Sequence, residues 1–224
     1  MKKSLIIMLL IASTLFSCTA LNDQPQPKQS NVLIIGDSIS LAYTPHVIRL
    51  LKDKALVKHH KGNAGPSIRG LVRIEGWLGQ IKWDLIHFNW GLWDMYGWEY
   101  AKDDISPAAY EKRLNTLVVR LKKTGAKLIW ATTTPACPEA EVTMKRRFKT
   151  TVKITPKVEK QFLDAALRVM KKHQIQINDL HAYIAPDWKK YSIADNNVHF
   201  NRKGSIRLAE KVADAVEKRL KNGK

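Results

Sequence analysis

Residues 32–38 read Val-Leu-Ile-Ile-Gly-Asp-Ser, and no other run limits the possible folds of this chain so strongly. Four consecutive branched apolar residues offer no polar face to solvent, so they read as a strand buried on both sides. Strands of that kind belong to parallel sheets with helices on both faces. The strand stops at Gly36-Asp37-Ser38, a tight turn leading into a helix over 41–51, with Pro45 in its opening turn or bending it. Backbone N–H groups at a helix start have no intrahelical partner and point outward, so a serine there has donors beside it for any negative charge that develops. Ser38 is therefore a candidate nucleophile, or else only the cap of the helix.

The remaining chain alternates in the same way. Short strands are predicted at 55–59, 83–91, 126–131 and 175–180, and helices at 68–78 and 201–220. Ser106-Pro107 and Thr155-Pro156 each place a capping hydroxyl before a proline at the first helical position. Tyr110, Leu114, Leu117, Val118 and Leu121 then form one apolar face, and Val158, Phe162, Ala166, Val169 and Met170 another. In the last helix the stripe is Ile206, Ala209, Ala213, Val216 and Leu220. The pattern predicts an α/β fold, a three-layer α/β/α sandwich around a five-stranded parallel sheet. In such sheets ligands bind beyond the carboxyl ends of the strands, where the strand order reverses. The Gly-Asp-Ser turn, the turn 61–67 with Asn63-Ala64-Gly65, and a tryptophan-rich loop after the third strand all fall there.

The N-terminus carries different information. Lys2 and Lys3 precede an almost unbroken apolar run over 5–16, too short to span a bilayer comfortably, so 1–18 reads as a signal peptide. Leu15-Phe16-Ser17-Cys18 resembles a lipobox, which would make Cys18 a lipidated N-terminus; Phe16 fits loosely, and cleavage near Ala20 is the alternative. Residues 19–30 are polar and proline-containing, with nothing to bury, and read as a flexible tether. One domain over 31–224 follows, exported to the periplasm or cell surface. With Cys18 lipidated, Cys137 has no disulfide partner in the chain. The formal charge of +18 attracts anions such as acidic glycans or anionic lipid; for an exported protein nucleic acid is not expected. Zinc-type Cys/His spacing, a Walker loop and GxGxxG are all absent from the sequence, so no metal or cofactor is expected. Nothing in the sequence sets the oligomeric state.

Ester hydrolysis by a serine needs a base and donors for the oxyanion as well as the hydroxyl. His199 suits the base, because an imidazole titrates near working pH. Asp195, four residues earlier, or Asn196, three earlier, can orient its ring. Here the sequence resembles the SGNH, or GDSL, hydrolases, in which a serine after the first strand acts with a late Asp-x-x-His. Gly36-Asp37-Ser38-Ile39-Ser40, Asn63-Ala64-Gly65, Asn89-Trp90-Gly91-Leu92-Trp93-Asp94 and the segment ending in His199 match its four blocks in order.

The resemblance implies a flavodoxin-like sheet, Ser38 as nucleophile, His199 as base, and the N–H groups of Ser38 and Gly65 as oxyanion donors. Two positions depart from the pattern. Trp93 stands where many members have an asparagine donor, leaving Trp93, Asn89 or the backbone alone to complete the hole. Asn196 stands at the aspartate position, and Asp195 is expected to orient His199, with one extra residue taken up by the loop. Trp93, Tyr96 and Trp98 are expected to contact substrate, because aromatic faces stack on sugar rings. Trp77 and Trp83 are expected in the core. His59, His60, His87 and His173 are assigned to packing or solvent, Asp37 and Asp94 to stabilising their own loops, and Lys145, Arg146, Arg147, Lys149 and Lys153 to a solvated face. The implied activity is an acylesterase, removing acetyl groups from a carbohydrate; a lysophospholipase or a non-catalytic glycan-binding protein is the alternative.

Overall fold

The computed structural model describes residues 29–99, 104–137 and 154–222. The signal segment with Cys18, most of the tether, Tyr100 and the cluster from Lys145 to Lys153 lie outside the described residues. Strand β1 (Ser30–Ile35) takes in the last residue of the stretch read as tether, and Gln29 just before it donates to the Lys52 carbonyl.

The sheet is wholly parallel, with strand order β2 (Ala55–His59), β1, β3 (Leu85–Phe88), β4 (Lys127–Ala131), β5 (Gln176–Asn178). Order 2-1-3-4-5 reverses between β1 and β3, the flavodoxin-like arrangement. Val32 to Ile35 and Leu85 to Phe88 are buried without a break, as a sheet covered on both faces requires. Helix α1 (Ser38–Leu50) packs with the last helix, α8 (Arg202–Lys221). A second group comprises α2 (Ser67–Leu78), α4 (Pro107–Lys122) and α5 (Pro156–His173), with α4 between the other two. Among the described residues no helix is long and apolar enough to cross a membrane.

Local chemistry sets the ends of these elements. The Ser106 hydroxyl accepts from Ala109 N–H at 3.2 Å, the Thr155 hydroxyl from Val158 N–H at 3.3 Å and the Asn201 side chain from Gly204 N–H at 3.0 Å. The five α4 positions expected to face inward are all buried. In α8 the buried stripe runs through Leu208 and Val212 as well, and Ile206 is only partly covered, because this helix lies against both α1 and the sheet. The tryptophan-rich stretch read as loop contains a short helix, α3 (Leu92–Tyr96). Beyond β5, α6 (Leu180–Ile184), a 3-10 turn (Ala185–Asp187) and α7 (Trp188–Tyr191) lead to an antiparallel bridge between Ser192 and Phe200, which closes the loop carrying His199.

Candidate active site

Ser38 is the first residue of α1, directly beyond β1. Asp37 caps that helix, its carboxylate accepting from Ile39 N–H at 3.0 Å. The capping carboxylate is buried, and burial raises its pKa to about 6 against backbone hydrogen bonds that pull it down. Ser38 N–H, at the first helical position, has no acceptor within the helix. A neighbouring hydrogen bond from Ala64 N–H to Gly36 O, 3.0 Å long, ties the Asn63-Ala64-Gly65 turn against the serine turn.

His199 arrives from the far end of the chain, 161 residues away, and its Nε2 lies 2.8 Å from Ser38 Oγ. The group holding the ring is neither Asp195 nor Asn196 but Asn197, whose Oδ1 is 2.7 Å from His199 Nδ1. That same oxygen accepts from the backbone N–H of His199 at 3.0 Å, which fixes the amide with its oxygen toward the ring. Nδ1 must then carry the proton and donate it, leaving the Nε2 lone pair to accept from the Ser38 hydroxyl. Burial holds the His199 pKa below its usual value, so the neutral form required of a base prevails at neutral pH. Asp195 is turned to solvent in the 194–197 turn, its carbonyl accepting from the Cys137 thiol at 2.9 Å. Asn196 is exposed beside it.

The expected oxyanion donors are arranged differently from the expectation. Asn89 directs its amide Nδ2 to the Ala131 carbonyl at 2.8 Å and to Thr133 Oγ1 at 3.3 Å, so both its protons bind the adjoining strand end. Gly65 N–H donates to Asn63 Oδ1 at 2.8 Å within its own turn. Trp93 is half-buried, edge-on to Trp98 with ring centres 5.0 Å apart. Of the aromatic residues expected to contact substrate, only Trp93 has appreciable exposure. Tyr96 and Trp98 are 0% and 3% exposed, stacked on each other at 4.5 Å, and the Tyr96 hydroxyl donates to the Cys137 carbonyl. They are packed in the interior and not presented to solvent.

Several supporting residues escape a reading of the sequence. His60, stacked on His59 at 4.5 Å and tilted against Trp77 at 4.4 Å, has Nε2 3.0 Å from Gly36 O and so braces the serine turn. His59 Nε2 is 2.7 Å from Ser40 Oγ, two residues beyond Ser38, and burial lowers the His59 pKa to about 4. Asp94 accepts from both N–H and Oγ of Ser67, anchoring the start of α2 to α3. Adjacent histidines give no signal of this kind, because their partners, backbone carbonyls and the Ser40 hydroxyl, are brought to them only by the fold. Among the described residues no group of three or more His, Cys, Asp or Glu side chains converges to hold a metal.

The five-stranded parallel sheet of this order is the fold of a group of solved structures that includes GDSL-like lipases, acylhydrolases and acetylxylan esterases. Solved structures similar to it include a lipase/acylhydrolase from Enterococcus faecalis, at TM-score 0.67 and 19% identity over 85% of this chain and 97% of that one. A GDSL-like lipase from Bacteroides thetaiotaomicron matches at TM-score 0.65 and 17% identity, over 87% and 92% of the two chains. An acetylxylan esterase from Geobacillus stearothermophilus matches at TM-score 0.64 and 17% identity, over 84% and 95%. No family model and no curated relative matches the chain.

Proposed function

We propose that this protein is a carboxylic ester hydrolase that removes short acyl groups, acetyl foremost, from a carbohydrate. The observation that carries the reading is the 2.8 Å contact between Ser38 Oγ and His199 Nε2, with the ring tautomer set by Asn197. Ser38 Oγ attacks the acyl carbonyl as its proton passes to His199 Nε2; the alcohol leaves with that proton. Water, deprotonated by the same nitrogen, then attacks the acyl-serine and releases the acid. Ser38 N–H is the oxyanion donor the structure leaves without an intrahelical partner, and Gly65 N–H joins it once the Asn63 side chain yields its place. The partly exposed Trp93, linked through Arg69 to the Asn63–Gly65 turn, and the acetylxylan esterase among similar structures favour a sugar ester over a lipid ester.

The test is p-nitrophenyl acetate turnover by the purified domain. Ser38→Ala and His199→Ala should each lower kcat by at least about a thousandfold; turnover unchanged in Ser38→Ala would remove Ser38 as nucleophile. The proposed setting is an exported protein anchored through a lipid on Cys18. Cys18→Ser should then move the protein from the membrane fraction to the soluble one, and continued membrane retention would contradict the anchor.

A further inference from the structure

The turn beside Ser38 carries one strongly charged feature that the hydrolytic steps do not use. Arg69, in the first turn of α2, folds back over Gly65: a Cβ on that glycine would stand 2.7 Å from the guanidinium carbon. Gly65 itself has φ +59°, a conformation that favours glycine, so both its backbone and the space above it leave room for the arginine. Nη1 donates to the Asn63 carbonyl at 3.0 Å, and the guanidinium carbon sits 5.5 Å from the centre of the Trp93 ring. Arg69 is thus held by the turn that adjoins Ser38 and by the half-buried Trp93. Its other terminal nitrogen, Nη2, donates to the carboxylate of Glu99.

That ion pair is at the rim. The side chains of Arg69 and Glu99 are 30% and 39% exposed, so a solvated carboxylate has access to the position that Glu99 fills. Glu99 occupies it from a backbone at φ +66°, which a residue with a side chain adopts only under strain. An exposed ion pair is weak and exchangeable. An arginine fork placed over an aromatic ring, with one arm held by the turn and the other in an exchangeable ion pair, fits a carboxylate borne on the alcohol part of an ester. The charge of +18 would concentrate such substrates near the surface.

We infer that Arg69 determines specificity by holding a carboxylate on the alcohol part of the ester, as in an acylated uronic acid, and that Glu99 keeps this position until substrate replaces it. The inference rests on the esterase reading and names its substrate class.

The experiment compares O-acetylated polygalacturonate with the same polymer after reduction of its carboxyl groups, at matched acetylation and physiological salt. The full-length protein should show a kcat/KM at least about tenfold higher on the acidic polymer. Arg69→Gln should lose at least about tenfold more on the acidic polymer than on the reduced one, mainly through KM. Arg69→Lys, which keeps the charge without the fork, should lie between. Glu99→Gln should raise kcat/KM on the acidic polymer, and Arg49→Gln, an exposed charge on α1, should leave the preference in place. Equal rates on the two polymers, or equal losses on both in Arg69→Gln, would overturn the assignment. Titration calorimetry of polygalacturonate against Ser38→Ala separates the two readings: Arg69-dependent binding there supports the carboxylate site even if no ester is turned over, and binding indifferent to Arg69 rejects it.

Discussion

Asn197 gives His199 its orientation without a charge, and this has a consequence for the pH profile. A neutral amide stabilises the imidazolium formed in the transition state less than a carboxylate would. With burial holding the His199 pKa below its usual value, the base stays active as pH falls, so the acid limb of kcat/KM should lie below 6.5. Asn197→Asp places an anion on Nδ1 and should raise kcat about tenfold or more while moving the acid limb upward; a pH–rate series on p-nitrophenyl acetate reads both. Asp37 shows the opposite electrostatic situation. Its folded pKa, about 6, lies above the 3.8 of an unperturbed aspartate, so the folded state binds the extra proton and stability is lost as pH rises from about 4 through 6. The penalty above that range is about 3 kcal/mol at most. Asp37→Asn should therefore raise Tm at pH 8 and not at pH 4, as a pair of thermal melts would show. Ser38 and His199 could be read from the sequence because their blocks keep a fixed chain order. Asn197 could not, because the 194–197 turn and the Ser192–Phe200 bridge, not spacing, decide which side chain reaches the ring.

The strands and caps were legible because each depends on neighbours in sequence. An unbroken apolar run gives β1, and Ser-Pro or Thr-Pro gives a helix start. Helix α3 was not, since Tyr96 and Trp98 are buried by each other and by the remote Cys137 carbonyl. Asn89 likewise looks like a donor to the cleft until β4 arrives beside it and takes its amide. The junction of β3 with α3 depends on Gly91, where a Cβ would fall 2.3 Å from Thr133 Oγ1 beyond β4. Gly91→Ala must therefore push the two loops apart, and a loss of about 1–3 kcal/mol in denaturant unfolding is expected. His60 ties β2 to the serine turn, so His60→Ala should lower kcat on p-nitrophenyl acetate with less effect on the unfolding midpoint than Gly91→Ala.

Taken as one body, the chain carries a positive field that reaches about 8 Å into physiological salt. Raising salt from 0.05 to 0.5 M should reduce kcat/KM on an acidic glycan several-fold and leave p-nitrophenyl acetate turnover unchanged, since a neutral ester is not steered. The largest-scale feature is the packing of α1 on α8, which joins the two ends of the described chain and sets Ser38 against His199. The Ser38–His199 contact thus joins positions 161 residues apart. On the proposed mechanism the hydroxyl has no base until the closing helix docks, so a chain cut short of α8 should turn over no p-nitrophenyl acetate even where its first strands fold.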